Sequence, residues 1–212
     1  MTELRVCFVG DSLVLGTGDD DFLGWPGRIM QRERAAGHNV TLYNTGIRGD
    51  TTTMIESRWR AEAEARLPKE NPCALVFSFG CNDMAMQNGE LRNAPEVAVA
   101  SAKKMISEAK DWLPTLWIGP PPVNDDDMPF SSVPGRERFL SSSRNVQLSD
   151  MFQDVAAELG VPYLDLFSLL TANSEWPKFY VKGDGVHPTR EGYATIAEHI
   201  IGWDAWRKWF DA

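Results

Sequence analysis

Three cysteines, Cys7, Cys73 and Cys81, are all that this chain of 212 residues has, and their spacing matches no metal-ligand motif. An odd count argues against a disulfide framework, so buried free thiols are expected and neither metal nor cofactor is called for. Positive charge is also scarce: 21 Lys and Arg against 30 Asp and Glu leave a formal net charge of -9. Affinity for nucleic acid or anionic lipid rests on an excess of cations, so neither polyanion is an expected partner. No apolar run reaches the roughly 20 residues of a membrane-spanning helix, which argues against membrane insertion. Residues 1–5 carry no charged n-region, apolar h-region or small-residue cleavage site and lead straight into an apolar run. They read as the start of a cytoplasmic protein. Gly16-Thr17-Gly18 lacks the downstream glycine and lysine of a phosphate loop. The acidic triplets Asp19-Asp20-Asp21 and Asp125-Asp126-Asp127 lack the alternating ligands and glycine of a calcium loop. All three read as solvated bends.

What is present is a core. A hydrophobic content of 43% over this length supports one substantial core and a single domain over residues 1–212. Strand-length apolar runs occur at 4–9, 40–43, 74–79, 115–118 and 163–167. Between and after them, residues 23–36, 52–66, 95–112, 141–159 and 189–209 place apolar side chains at three- and four-residue steps, the mark of amphipathic helices. Five alternations of continuous apolar strand and helix predict a five-stranded parallel sheet covered on both faces. Right-handed crossovers narrow this to a three-layer α/β/α sandwich, flavodoxin-like, with strand order 2-1-3-4-5.

Ligands of such sheets bind beyond the carboxyl ends of the strands. Ser12 follows the first run, Gly46 and Gly49 the second and Asn82 the third, while Asp184 and His187 precede the last helix. A serine hydroxyl becomes a competent nucleophile when an imidazole takes its proton and a carboxylate holds that imidazole in the right tautomer. Ser12, His187 and Asp184 supply that set. Attack on an acyl carbon also creates an oxyanion, for which the backbone amides of Ser12 and Gly49 and the side-chain amide of Asn82 are suitable donors. Taken singly, each has a plainer reading: Ser12 or Asn82 as a helix cap, Gly49 as a turn, and Asp184 with His187 as a surface pair before Pro188.

Together, Gly10-Asp11-Ser12-Leu13, Gly49, Gly80-Cys81-Asn82-Asp83 and Asp184-Gly185-Val186-His187 resemble the successive sequence blocks of the GDSL, or SGNH, hydrolase family. The resemblance runs from the first strand to the last helix. It implies a flavodoxin-like fold and a metal-free esterase, lipase, thioesterase or deacetylase. Ser12 would be nucleophile and first oxyanion donor, Gly49 and Asn82 would complete the oxyanion hole, and Asp184 and His187 would be orienter and base. The other arrangement with this chain order, the α/β-hydrolase elbow, needs a second glycine after the serine, where this chain has Val14.

The expected activity is therefore hydrolysis of a small carboxylic ester through an acyl-Ser12 intermediate. A thioesterase using the same residues and a non-catalytic flavodoxin-like binding protein are the alternatives. Trp25, Trp176 and Phe179 are candidates to line an acyl or alcohol pocket. Trp203, Trp206 and Trp209, at three-residue steps, are expected to pack in the core, with an aromatic homodimer surface as the second reading. The irregular stretch 119–135 is a candidate wall or lid of the site.

Overall fold

The computed structural model describes residues 1–131, 135 and 137–211. Five strands, β1 (Glu3–Gly10), β2 (Asn39–Asn44), β3 (Cys73–Ser78), β6 (Thr115–Ile118) and β7 (Tyr163–Leu164), form one parallel sheet in the order β2-β1-β3-β6-β7. This is the expected 2-1-3-4-5 arrangement. A small antiparallel hairpin, β4 (Met86–Gln87) and β5 (Glu90–Leu91), is inserted after β3. The helices are α1 (Ser12–Leu15), α2 (Gly24–Ala35), α3 (Thr52–Glu64), α4 (Pro95–Trp112), α5 (Ser142–Leu159), α6 (Leu166–Thr171), α7 (Arg190–Ile201) and α8 (Asp204–Arg207).

The two-residue period of the strands sorts their side chains between two cores. Val6 and Phe8 of β1, Val76 of β3 and Ile118 of β6 enter one cluster, with Ile29 from α2 and Ile196 from α7. Cys7 and Val9 of β1, Leu75 and Phe77 of β3 and Trp117 of β6 enter the other, with residues of α3, α4 and α5. That is why the strands read as continuous apolar runs: both faces are covered. Helix α4 shows the matching helical pattern. Its buried Ala98, Ala102, Met105, Ile106 and Ala109 form one stripe, and Pro95 occupies the first turn, where its missing N–H costs nothing.

Two elements differ from expectation. The last strand stops at Leu164, because the Asp165 carboxylate accepts the Ser168 amide at 3.0 Å and starts helix α6 inside the apolar run. The last helix is also broken: α7 closes at Gly202, Trp203 is extended, and α8 is a separate short turn. The break folds Trp206 fully inward, where its Nε1 donates to Glu33 Oε1 at 2.9 Å, and Trp203 and Trp209 pack partly buried against the same cluster. Core packing thus accounts for the tryptophan series. Among the described residues no helix is long and apolar enough to cross a membrane, and all three cysteines are free and buried.

Candidate active site

The turn after β1 is set by close packing. Gly10 pairs with Ser78 across the two central strands, and a Cβ at Gly10 would lie 2.0 Å from the Ser78 carbonyl oxygen and 2.4 Å from Val14 Cγ2. Only glycine lets the chain pass here. Asp11 then caps α1, its Oδ1 accepting the Leu13 amide at 2.9 Å. This presents Ser12 at the first position of the helix.

Ser12 Oγ lies 2.9 Å from His187 Nε2. On the other side of the ring, His187 Nδ1 lies 2.9 Å from Asp184 Oδ2 and 3.0 Å from Oδ1. The carboxylate also accepts the backbone amides of Val186 and His187 at 2.9 and 2.8 Å, so a single turn of chain fixes both partners. Burial pushes the Asp184 carboxyl up, but the His187 hydrogen bond and charge and the two amides outweigh it and hold it below the usual carboxylate range. An ionised Asp184 keeps the proton on Nδ1 and leaves Nε2 free to accept from Ser12.

Asn82 approaches from the end of β3. Its Nδ2 donates to Asp11 Oδ2 at 3.1 Å, and its Oδ1 faces Arg92 and Arg138 donors at 3.3 and 3.4 Å. These partners fix the orientation of the amide and leave one N–H for a ligand. Burial pushes the Asp11 carboxyl up to about 6, against the Leu13 amide, the His187 charge and the Asn82 amide. Beside Asn82, the buried Asp83 anchors the loop by accepting from the Thr52 amide and hydroxyl and from Asn93. Gly49, after β2, has φ +80°, a backbone conformation that favours glycine, and a Cβ there would lie 3.0 Å from Arg138 Nη1.

Ser12, Gly49, Asn82 and His187 all line one open cleft. A serine hydroxyl hydrogen-bonded to an imidazole that a carboxylate orients, in a cleft also lined by Gly49 and Asn82, has the parts an acyl transfer needs. The sequence model of the GDSL-like lipase/acylhydrolase family matches residues 8–195. The chain belongs to the GDSL-like lipase/acylhydrolase family.

Similar proteins are found both among known sequences and among solved structures. An arylesterase from Vibrio mimicus is 25% identical over 205 residues, covering 92% of this chain and 86% of that protein. A lipase/acylhydrolase from Enterococcus faecalis superposes with a TM-score of 0.76 at 24% identity, covering 95% of this chain and 94% of that one. Axe2, an acetylxylan esterase from Geobacillus stearothermophilus, superposes with a TM-score of 0.73 at 17% identity, covering 96% of each chain.

For a GDSL-type cleft, the tryptophans chosen from sequence are the wrong aromatics. Trp25 is 1% exposed and packs edge-on against Phe8 at 5.5 Å in the core beneath α2. Trp176 is buried too, its Nε1 donating to the Tyr180 hydroxyl at 2.7 Å, and it borders a separate cavity with Pro122 and Leu170. Phe179 packs beside Trp176 against the same core. None lines the cleft. Its apolar lining comes from Phe130, Leu140 and Val186, and its charged lining from Arg48 and Arg138. Phe130 belongs to the irregular stretch 119–135, which therefore does contribute wall. Neither arginine was singled out from the sequence: Arg48 adjoins the Gly49 block, a signal that could have found it, whereas Arg138 had no local signal.

Proposed function

We propose that this family member is a serine hydrolase that cleaves small carboxylic esters through an acyl-Ser12 intermediate. The reading rests on one observation above all, the unbroken hydrogen-bonded series Ser12 Oγ, His187 Nε2, His187 Nδ1, Asp184. His187 takes the serine proton as Oγ attacks the carbonyl carbon, and the imidazolium then protonates the departing alkoxide. The amides of Ser12 and Gly49 and the Asn82 side chain receive the developing oxyanion. Water repeats the sequence on the acyl-enzyme, with His187 again as base, releasing the acid and restoring Ser12.

Among the described residues the cleft's apolar lining is confined to Phe130, Leu140 and Val186, which favours short acyl groups over long lipids. The names of an arylesterase relative and an acetylxylan esterase neighbour support ester hydrolysis as the reaction. The buried free thiols suit a reducing compartment, and we assign the enzyme to the cytoplasm.

The test is hydrolysis of p-nitrophenyl acetate, butyrate and octanoate by wild type and Ser12→Ala, with circular dichroism to verify folding. Rates that fall to background with Ser12→Ala, with acetate or butyrate ahead of octanoate, are expected. A fluorophosphonate probe should label the wild type alone; equal labelling of both proteins removes Ser12 as nucleophile.

A further inference from the structure

The charged groups lining the cleft are both arginines, Arg48 and Arg138, and among the described residues no carboxylate lines it. That is unexpected in a chain of net charge -9. Of its other arginines, Arg28, Arg58, Arg190 and Arg207 are ion-paired, with Asp19, Asp50, Asp21 and Glu33. Arg48 is exposed and makes no ion pair among the described residues. Behind the cleft, Arg92 and Arg138 converge on one neutral acceptor, Asn82 Oδ1, at 3.3 and 3.4 Å. Burial first, and then the neighbouring charge of Arg138, hold the Arg92 guanidinium below its usual value. Cations gathered without a lining carboxylate, beside the apolar Phe130, Leu140 and Val186, attract an anion more strongly than they would in open water.

Their placement selects the part of the substrate that carries the charge. The leaving oxygen must receive its proton from His187, whose ring is faced by Phe130 at 5.4 Å between centroids. Arg138 instead reaches Asn82 and the space over Gly49. The substituent that stays on the carbonyl carbon is the one left to meet the guanidinium groups.

Resting on the esterase reading above, we propose that the cleft takes esters whose acyl group ends in a carboxylate, half-esters of short dicarboxylic acids, with Arg48 and Arg138 holding that carboxylate. The reaction balances as before: Ser12 displaces the alcohol, which leaves with the proton from His187, and water releases the dicarboxylate. Guanidinium matches a carboxylate in shape as well as charge, and two of them hold a flexible chain in a productive pose.

The experiment compares kcat/KM for monomethyl succinate with that for methyl 4-oxopentanoate, the neutral ester of the same length, by pH-stat. Wild type should prefer the anion by on the order of 10-fold, the lower end of what electrostatic focusing gives, and added salt should shrink the ratio. Arg48→Gln should bring the ratio towards one, and Arg48→Glu should invert it; Arg48 is exposed, so both variants should fold. Equal rates for the two esters in wild type, or a ratio indifferent to both Arg48 substitutions, overturns the proposal. A second pair, 3-acetoxypropanoate and its neutral counterpart 3-oxobutyl acetate, carries the charge on the leaving group, and an equal or larger anion preference there overturns the acyl-side placement. Ser12-dependent hydrolysis without charge preference overturns this inference alone. No Ser12-dependent hydrolysis of these esters or of p-nitrophenyl acetate overturns the esterase reading and this inference with it.

Discussion

Phe130 and Arg138 face one another across an antiparallel backbone bridge, each amide donating to the other's carbonyl at 2.8 Å. Directly opposed residues project to the same face of a ribbon. Here the phenyl ring stands edge-on to His187 and the guanidinium reaches Asn82 Oδ1. One short ribbon thus brings an apolar wall to the base and a cation to the amide, and neither side chain can be moved along the ribbon without moving the other.

Asp184→Asn should fold and lose turnover. The Asn oxygen can keep the Val186 and His187 amides, but its NH₂ would then face His187 Nδ1 and move the ring proton to Nε2, where it opposes Ser12. A fall in kcat on the order of 10⁴ is expected from the equivalent loss of tautomer control. Steady-state kinetics on p-nitrophenyl acetate, with fluorophosphonate labelling slowed in parallel, measure it.

Asn82→Ala removes the side-chain amide that we propose as a donor to the developing oxyanion. The expected loss is about 10²- to 10³-fold in kcat with KM little changed. Because Asp11 Oδ2 loses its Asn82 partner in a buried setting, a modest loss in urea stability should accompany it. Unchanged kcat would take Asn82 out of the oxyanion hole.

Asp11 and Asp184 should give opposite pH signatures in stability. Burial pushes the Asp11 carboxyl up to about 6 from an ordinary value of 3.8, so the folded protein holds a proton through that window which the unfolded chain has released. Its contribution is fully present below the unfolded value and lost as pH rises through about 6. Asp184, held low, contributes above 3.8 and loses this as pH falls through its folded value. Urea titrations at pH about 4 and about 6.5 should show a wild-type decline of roughly 1–3 kcal/mol that Asp11→Asn lacks. An identical pH dependence in both proteins contradicts the assignment.

Gly10→Ala should be among the most damaging small substitutions. The added methyl would sit 2.0 Å from a backbone oxygen of the central strand, which cannot swing aside as a side chain can. A loss of about 3 kcal/mol or more is expected, with Ser12 displaced, and urea denaturation read by tryptophan fluorescence checks it.

The inner strands β1, β3 and β6 were legible because both faces of the sheet are buried there, which makes them nearly continuous apolar runs, whereas edge strand β2 is largely exposed. Asp184 and His187 were legible because one turn of chain contains the whole interaction. Trp25 was misplaced because the sequence carries no distances and does not report whether an aromatic side chain meets a core or a cleft. Asp165 hid a helix start inside an apolar run, and Gly202 hid a break inside a helical one, because each acts through local backbone bonding that hydrophobic pattern does not report. Arg138 meets Asn82 across 56 residues of sequence, a contact that only the folded ribbon creates.

The hydrogen bond from Asn82 to Asp11 joins segments that leave the ends of two adjacent strands, paired Gly10 to Ser78. A slip of one residue between those strands would carry Asn82 about 3.3 Å past the serine and turn alternate side chains to the opposite core. The central ladder therefore serves as a ruler: the spacing of Ser12 and Asn82 is graduated in strand register, and the cores that forbid a slip calibrate the site at its end.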